Sequence, residues 1–164
     1  MTPDRSFAAA AGPGTRLLIL GSLPGQASLQ AQQYYAHPRN AFWPLVGAVI
    51  GTALAALPYP ERLAALAAAG IGLWDVVGSA RRPGSLDAAI RDVEANDLAT
   101  LAATLPALRA VAFNGATAWR LGAPLLAGSG HALLRLPSSS PAHAAMPFAA
   151  KRAAWVATLL PVLV

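Results

Sequence analysis

The chain has 164 residues, of which 55% are hydrophobic and 12% are charged, so one domain can bury a sizeable core. It contains no cysteine, which excludes disulfides, thiol catalysis and metal sites ligated by cysteine. Twelve basic and seven acidic residues give a formal net charge of +5. Such a surplus favours a polyanion as partner, although a basic enzyme without a nucleic-acid ligand fits the same charge.

The N-terminal segment and the apolar runs indicate the cellular compartment of the protein. Residues 1–14 are small, polar or rich in glycine, and they predict a flexible tail before a domain over residues 15–164. They lack the apolar stretch of a signal peptide, and no later run is long and uncharged enough to span a bilayer. We therefore expect a cytoplasmic protein that does not contact membranes.

Apolar runs alternate with helical segments along the chain. Strands are predicted over residues 16–20, 71–77, 110–113 and 131–136, and helices over residues 42–50, 60–69, 96–105, 116–121 and 147–160. Asn96 is the expected cap of the third helix. This alternation predicts an α/β fold in one domain, with a central four-stranded parallel sheet and helices on both faces.

Polar segments follow three of the predicted strands, over residues 21–40, 75–85 and 137–143. Ligands of such folds bind outside the carboxyl ends of the strands, so the three segments predict an active site at this edge. The first segment opens with G-S-L-P-G at residues 21–25. Its glycines and proline fix a tight loop whose backbone N–H groups can face an anion or a base, but it lacks the signatures of nucleotide-cofactor loops.

Motifs near both ends of the chain carry a family resemblance. Tyr34 and Tyr35 precede H-P-R-N-A-F-W at residues 37–43, and the last predicted strand opens into P-S-S-S at residues 137–140. Together with the glycine-rich loop, these stretches resemble those of mismatch-specific uracil glycosylases and thymine DNA glycosylases.

Two motifs in the middle of the chain make the resemblance more specific. G-L-W-D at residues 72–75 and F-N-G at residues 113–115 resemble strands of hypoxanthine-DNA glycosylases. Over most of residues 16–160 the chain is similar to the uracil-DNA glycosylase superfamily, nearest its hypoxanthine-DNA glycosylase branch. The resemblance implies hydrolysis of the bond between a flipped base and its sugar.

The glycine-rich loop departs from the better-known branches. Where they carry an asparagine that positions the attacking water, this chain has Leu23, and no acidic residue lies nearby in the loop. In the hypoxanthine branch the resemblance assigns catalysis to the asparagine of H-P-R-N, which is Asn40 here. An amide oxygen can orient a water but is a weak base, so electrostatic preorganisation must supply most of the stabilisation of the oxocarbenium-like sugar.

The resemblance also implies a pocket for the extruded base. Tyr34 or Tyr35 would stack on the ring while the other packs in the core. Asp75 would accept from N1–H of hypoxanthine or N3–H of uracil, unless it caps a turn or pairs with a nearby arginine. The predicted base-binding residues are Gly21, Ser22, Leu23, Tyr34, Tyr35, Asp75 and Asn114.

Contacts to the DNA backbone are expected around this pocket, where they would position the strand without reading its sequence. The predicted residues are Ser28, Arg39, Arg81, Arg82, Ser138, Ser139, Ser140 and His143. Each arginine could instead be an ordinary solvated charge. Ala142 is short where some relatives carry a long wedge, which leaves His143 or Met146 for that role.

These observations predict a monofunctional DNA glycosylase of base excision repair that acts as a monomer at the nucleoid, without metal or cofactor, on hypoxanthine or uracil. No lysine lies in the motif loops, which argues against a Schiff-base lyase step. One alternative is a uracil glycosylase with a relocated catalytic residue. Another is a non-cutting reader of damaged or flipped bases, which Leu23 would explain. A nucleotide-binding or esterase-like protein fits the fold but not the motifs.

Overall fold

A computed structural model describes residues 2–164. The strands are β1 (Asp4–Arg5), β2 (Leu17–Gly21), β3 (Ile71–Asp75), β4 (Val77–Arg81), β5 (Arg91–Ala95), β6 (Ala110–Asn114) and β7 (Ala132–Leu136). The helices are α1 (Gln26–Ala31), α2 (Phe42–Ile50), α3 (Tyr59–Ala68), α4 (Leu98–Ala103), α5 (Ala116–Gly122) and α6 (Phe148–Leu163). Short 3-10 turns cover Leu54–Ala56, Asp87–Ala89 and Ala123–Leu126.

The core of the fold is a four-stranded parallel sheet in the order β3-β2-β6-β7. Every residue of β2 is buried, because helices cover both faces of the sheet. Leu17 and Ile19 pack on the face covered by α2, α3 and α6, whereas Leu18 and Leu20 pack on the face covered by α4 and α5. The predicted α/β architecture is confirmed.

A second sheet, antiparallel and of order β1-β4-β5, was not predicted. Strand β4 occupies part of the segment expected to be a loop over residues 75–85. Its sequence V-G-S-A-R consists of small residues apart from the final arginine, and β5 is exposed throughout with the sequence R-D-V-E-A. Neither strand carries the apolar alternation that identifies a strand from sequence. Both are therefore recognised only by their backbone pairing with neighbouring strands in the structure.

The N-terminal segment differs from the flexible tail expected over residues 1–14. Asp4 pairs with Ala80 in the second sheet, and Ala10 forms an antiparallel bridge with the parallel strand β3. The indole Nε1 of Trp74 donates to the carbonyl of Phe7 at 2.9 Å. Single anchors of this kind leave no periodic pattern, which is why composition alone suggested a loose tail.

The start of α4 also differs from the prediction. Asp97, rather than Asn96, caps the helix, with its carboxylate accepting from the backbone N–H of Thr100 at 3.1 Å. Asn96 instead donates to the backbone oxygen of Asp75 at 2.8 Å and to the hydroxyl of Ser6. It therefore connects the N-terminal segment to the end of β3.

Helix α6 buries Lys151, Trp155 and Leu159, which are spaced four residues apart and so lie on one face. That face packs against α2, where the rings of Phe42 and Trp155 lie 5.9 Å apart. Within residues 2–164, no helix is long and apolar enough to cross a membrane.

Candidate active site

A cavity of about 430 Å³ opens at the carboxyl ends of the parallel strands. Most of the residues that the sequence assigned to base or DNA contacts line it. They are Gly21, Ser22, Leu23, Ser28, Tyr34, Tyr35, Asn40, Asp75, Asn114, Ser138, Ser139, Ser140 and His143. Arg39, Arg81 and Arg82 lie outside this lining. The topology of the sheet thus brings the three polar segments together at one edge.

Asp75 is a buried carboxyl in the cavity, with 3% of its surface exposed. Its Oδ2 has no hydrogen-bond partner among the described residues. Burial, together with the negative charge of Asp87, raises the pKa of Asp75 to about 7 even though Arg82 lowers it. Near neutral pH this group can therefore hold a proton, and it keeps one oxygen for a ligand.

Gly21 lets Asp75 approach the backbone of β2. The two residues are partners in the parallel register, and a Cβ at position 21 would lie 2.6 Å from Asp75 Oδ1 and 3.0 Å from the Tyr35 hydroxyl. These two polar groups therefore converge over the glycine. Any larger side chain would occupy the space in which they meet.

We expect Gly21→Ala to lower the single-turnover cleavage rate at least tenfold, because the methyl group displaces Asp75 and Tyr35. Overpacking of this kind also costs about 1–3 kcal/mol of unfolding free energy. Gly25→Ala is the matched control, since its Cβ would meet only Ser85 atoms, at 3.4 Å or more. Equal rates for the two variants would show that the contact over Gly21 is unimportant.

The two adjacent tyrosines have different environments. Tyr34 is buried, its hydroxyl donates to the carbonyl of Ala8 at 2.8 Å, and its ring packs edge-on against Phe7. Tyr35 is half-buried and stacks on Phe42, with ring centroids 3.8 Å apart and planes 13° from parallel. Tyr34 is therefore the core residue of the pair, although both side chains line the cavity.

Tyr35 also has a backbone conformation that side chains seldom adopt, with φ at +54°. The indole of Trp43 donates to its carbonyl at 3.2 Å, and the amide of Asn114 donates to its hydroxyl at 3.3 Å. Local strain of this kind persists only where surrounding contacts hold it, and such residues cluster at functional sites. Tyr35 is thus a ring fixed in place before any ligand arrives.

Asn114 and Ser139 bind each other. The Asn114 amide donates to Ser139 Oγ at 2.9 Å, and the Ser139 backbone N–H donates to Asn114 Oδ1 at 2.9 Å. Ser139 is 1% exposed, so the prediction that it contacts phosphate is not supported by its position. This pair instead ties the end of β6 to the loop after β7.

The flanking serines remain at the surface of the same loop. Ser138 Oγ accepts from the backbone of Ser140 at 3.1 Å, and Ser140 Oγ accepts from the backbone of Ala142 at 3.2 Å. A hydroxyl that accepts still has its own hydrogen to donate. Lys151 Nζ donates to the carbonyl of His143 at 2.7 Å and holds the far end of this loop.

Asn40 lies half-buried between this loop and α2. Its Oδ1 accepts from the backbone N–H of Phe42 at 3.0 Å, where α2 begins. Ala41 donates to the carbonyl of Ser139 at 3.0 Å, so the two loops are joined beside Asn40. An amide oxygen has two lone pairs, so Asn40 Oδ1 can accept from the Phe42 N–H at the start of the helix and also from a water in the cavity.

The three arginines that were expected to contact phosphates differ in their exposure to solvent. Arg82 is buried, forms an ion pair with Asp4 at 3.2 Å, and donates to the carbonyls of Leu23 and Pro24. It supports the glycine-rich loop from behind, so a phosphate contact by Arg82 is excluded by its burial. Arg81 points the other way and pairs with Asp92 at 3.4 Å. Arg39 is exposed beside Asn40.

The two serines of the first segment, Ser22 and Ser28, are buried and form hydrogen bonds inside the protein. Ser28 is buried and accepts from the backbone of Ala36 at 3.0 Å, so it braces the segment rather than facing DNA. The Ser22 hydroxyl donates to Asp87 Oδ1 at 2.7 Å. Leu23 packs with Val77 and Ala80 in a small apolar cluster, which explains why an apolar residue occupies this position.

Asp87 is a lining residue that sequence reasoning missed. It lies in the 3-10 turn Asp87–Ala89, between β4 and β5, and it reaches Ser22 across 65 positions of chain. That reach depends on a hairpin whose strands carry no apolar pattern. No signal in the sequence therefore placed Asp87 at the site.

A profile of the uracil DNA glycosylase superfamily matches residues 9–163 of this chain. The chain belongs to this superfamily. The match begins inside the segment expected to be a tail, in agreement with the contacts of residues 4–10. Membership confirms the predicted enzyme class, a DNA glycosylase, which hydrolyses the bond between a base and its sugar.

Two curated proteins are similar to this chain over most of their length. A hypoxanthine DNA glycosylase of Methanosarcina acetivorans is 45% identical over 139 residues, which span 85% of this chain and 87% of the relative. One of Methanosarcina barkeri is 43% identical over 129 residues, which span 79% and 81%. The solution NMR structure of a candidate uracil DNA glycosylase from Methanosarcina acetivorans superimposes with a TM-score of 0.88, at 40% identity, over 98% of this chain and 99% of its own.

Proposed function

We propose that this DNA glycosylase removes hypoxanthine, the deamination product of adenine, from DNA. The observation that carries the proposal is the buried carboxyl of Asp75, whose Oδ2 has no partner within residues 2–164 and which shares the cavity with the fixed ring of Tyr35. Hypoxanthine presents a donor at N1 next to an acceptor at O6, and a carboxyl that titrates near neutrality can serve either. The similar Methanosarcina hypoxanthine DNA glycosylases support the same substrate.

The geometry supports a division of labour among three side chains. The extruded base would stack on the face of Tyr35 that Phe42 leaves uncovered and would bind Asp75 with its edge. Asn40 would orient the water that attacks C1′ of the sugar. Because one Asn40 lone pair is committed to Phe42, the amide is fixed in orientation, which lowers the cost of ordering the water.

DNA is the partner implied by the enzyme class, and we propose that one copy of the chain acts alone at the nucleoid. Arg39, Ser138 and Ser140 flank the cavity and are placed for contacts with the phosphates on either side of the flipped base. The net charge of +5 favours this encounter, so binding should weaken as salt rises.

A cleavage assay on labelled duplexes tests the substrate. Each duplex carries one hypoxanthine, uracil, xanthine or mismatched thymine, an undamaged duplex is the control, and alkali reveals abasic sites. We expect hypoxanthine to be removed fastest. Faster removal of uracil would instead support a uracil glycosylase with a relocated catalytic residue. Tight binding to one duplex without cleavage of any would support a non-cutting reader.

A further inference from the structure

One wall of the cavity is the hairpin loop, which we define as residues 82–90 between β4 and β5. Hydrogen bonds fasten it to the glycine-rich loop and to Gln26, the first residue of α1. The backbone N–H of Gln26 donates to Ser85 Oγ at 2.9 Å, and its Nε2 donates to the carbonyl of Gly84 at 3.0 Å. The Ser22 hydroxyl donates to Asp87 Oδ1 at 2.7 Å. The hairpin loop is therefore a fixed part of the site.

Asp87 is the carboxylate that this loop brings to the cavity. One of its oxygens is oriented by Ser22, and its side chain is exposed and lines the cavity. Its negative charge acts on both Asp75 and Tyr35, since it raises the pKa of each group. It lines the same cavity as these two side chains, and its partner Ser22 is next in sequence to Gly21, over which they converge.

The glycine-rich loop supplies no group that can take a proton. Leu23 is packed among apolar side chains, and Asn40 offers only an amide oxygen. An oriented carboxylate at the cavity would complete the chemistry, because a developing sugar cation needs negative charge nearby and the attacking water must lose a proton.

We propose that Asp87 is a catalytic residue, the general base and anionic partner of the sugar. This inference rests on the proposed function. The water held by Asn40 forms a bond from its oxygen to C1′ while the bond from C1′ to the base nitrogen breaks. The bonding electrons leave with the base, and one water proton passes to Asp87. Asp75, in its neutral form, donates a hydrogen bond to the departing base.

The two carboxyls are suited to these different roles because their environments differ. Asp75 is buried and favours its neutral form, whereas Asp87 is solvated and hydrogen-bonded by Ser22. Separate environments for two nearby carboxyls are how one site holds an acid and a base at the same pH. The alternative is that Asp87 only fastens the hairpin loop.

Asp87→Asn separates the two possibilities, because asparagine still accepts from Ser22 but carries no charge. Asp87→Ala removes both the charge and the acceptor. The matched control is Asp92→Asn, which removes one charge from the same hairpin at a site that pairs with Arg81. Single-turnover cleavage of the hypoxanthine duplex and its dissociation constant are measured for each variant and for the wild type.

We expect Asp87→Asn to cut the single-turnover rate about 100-fold with the dissociation constant changed less than about threefold, and Asp92→Asn to match the wild type. Sodium formate should partly restore Asp87→Ala, because a free carboxylate can occupy the vacated space. Wild-type activity in Asp87→Asn would overturn the inference, as would an equal loss in Asp92→Asn. A wild type that cleaves no duplex would overturn the proposed function as well, so the two failures are distinct.

Discussion

Asn40→Ala is expected to lower single-turnover cleavage about a thousandfold while the damaged duplex still binds, because the water loses its orienting group. The same change removes the acceptor for the Phe42 N–H at the start of α2. Loss of such a helix-start acceptor costs about 1 kcal/mol and lowers Tm by a few degrees. Activity is measured by rapid quench, binding by fluorescence anisotropy, and stability by thermal melting.

Asn40→Ser controls for the effect on the helix. Serine can accept from the N–H of Phe42 and restore Tm, but its hydroxyl cannot reach where the amide does. We therefore expect normal melting with the cleavage defect retained. Wild-type cleavage by Asn40→Ala would remove Asn40 from the mechanism, and recovery of cleavage in Asn40→Ser would assign the defect to α2.

The second large effect concerns Asp75 and pH. Its pKa is raised from 3.8 to about 7 in the folded protein. Below pH 4 the carboxyl is protonated in both the folded and the unfolded states, so it does not lower the free energy of unfolding. Between pH 4 and 7 the unfolded state releases the proton that the folded state retains, so the free energy of unfolding falls and stays low above pH 7.

Asp75→Asn removes this titration while keeping the size of the side chain. The variant should melt like the wild type at pH 4 and roughly 10 °C higher at pH 8, since three pKa units correspond to several kcal/mol. The other titrating groups affect both proteins alike, so the difference in Tm between the variant and the wild type at each pH reports on Asp75. A difference that does not change with pH would show that Asp75 is ionised in the folded protein.

The same variant tests whether Asp75 binds the edge of the base and so sets the preference between hypoxanthine and uracil. An asparagine amide presents a fixed donor and acceptor where the carboxyl can exchange its proton, so the ratio of hypoxanthine to uracil cleavage should change. An unchanged ratio would mean that Asp75 supports the loop without contacting the base. Asp75→Asn therefore yields a stability readout and a specificity readout that are independent of each other.

Much of the parallel sheet could be predicted because its strands are buried on both faces. The run L-L-I-L of β2 is typical of such a strand, and Asp75 was expected at the site because ligands bind at the carboxyl ends of parallel strands. Asn40 came from the family resemblance rather than from any physical pattern. The order of the motifs along the chain was enough to bring both residues to one cavity.

The hairpin side of the site could not be predicted. Arg81 and Arg82 are adjacent and chemically identical, yet one is exposed and the other is buried against Asp4. Successive side chains of an extended segment point to opposite faces. Which of the two faces is buried depends on the N-terminal segment, some 80 residues away, which contributes Asp4. The position of Asp87 depends on another distant contact, with Ser22, which lies 65 positions earlier in the chain.

The order of strands also bears on how the protein is made. As the chain leaves the ribosome, β3 finds β2 already present, β6 adds to the other side of β2, and β7 adds to β6. Each strand can thus pair on emergence, in keeping with folding from the N-terminus during synthesis. The serine loop after β7 is the last part of the cavity to be synthesised, so a nascent chain cannot enclose a base until every strand of the parallel sheet has been made.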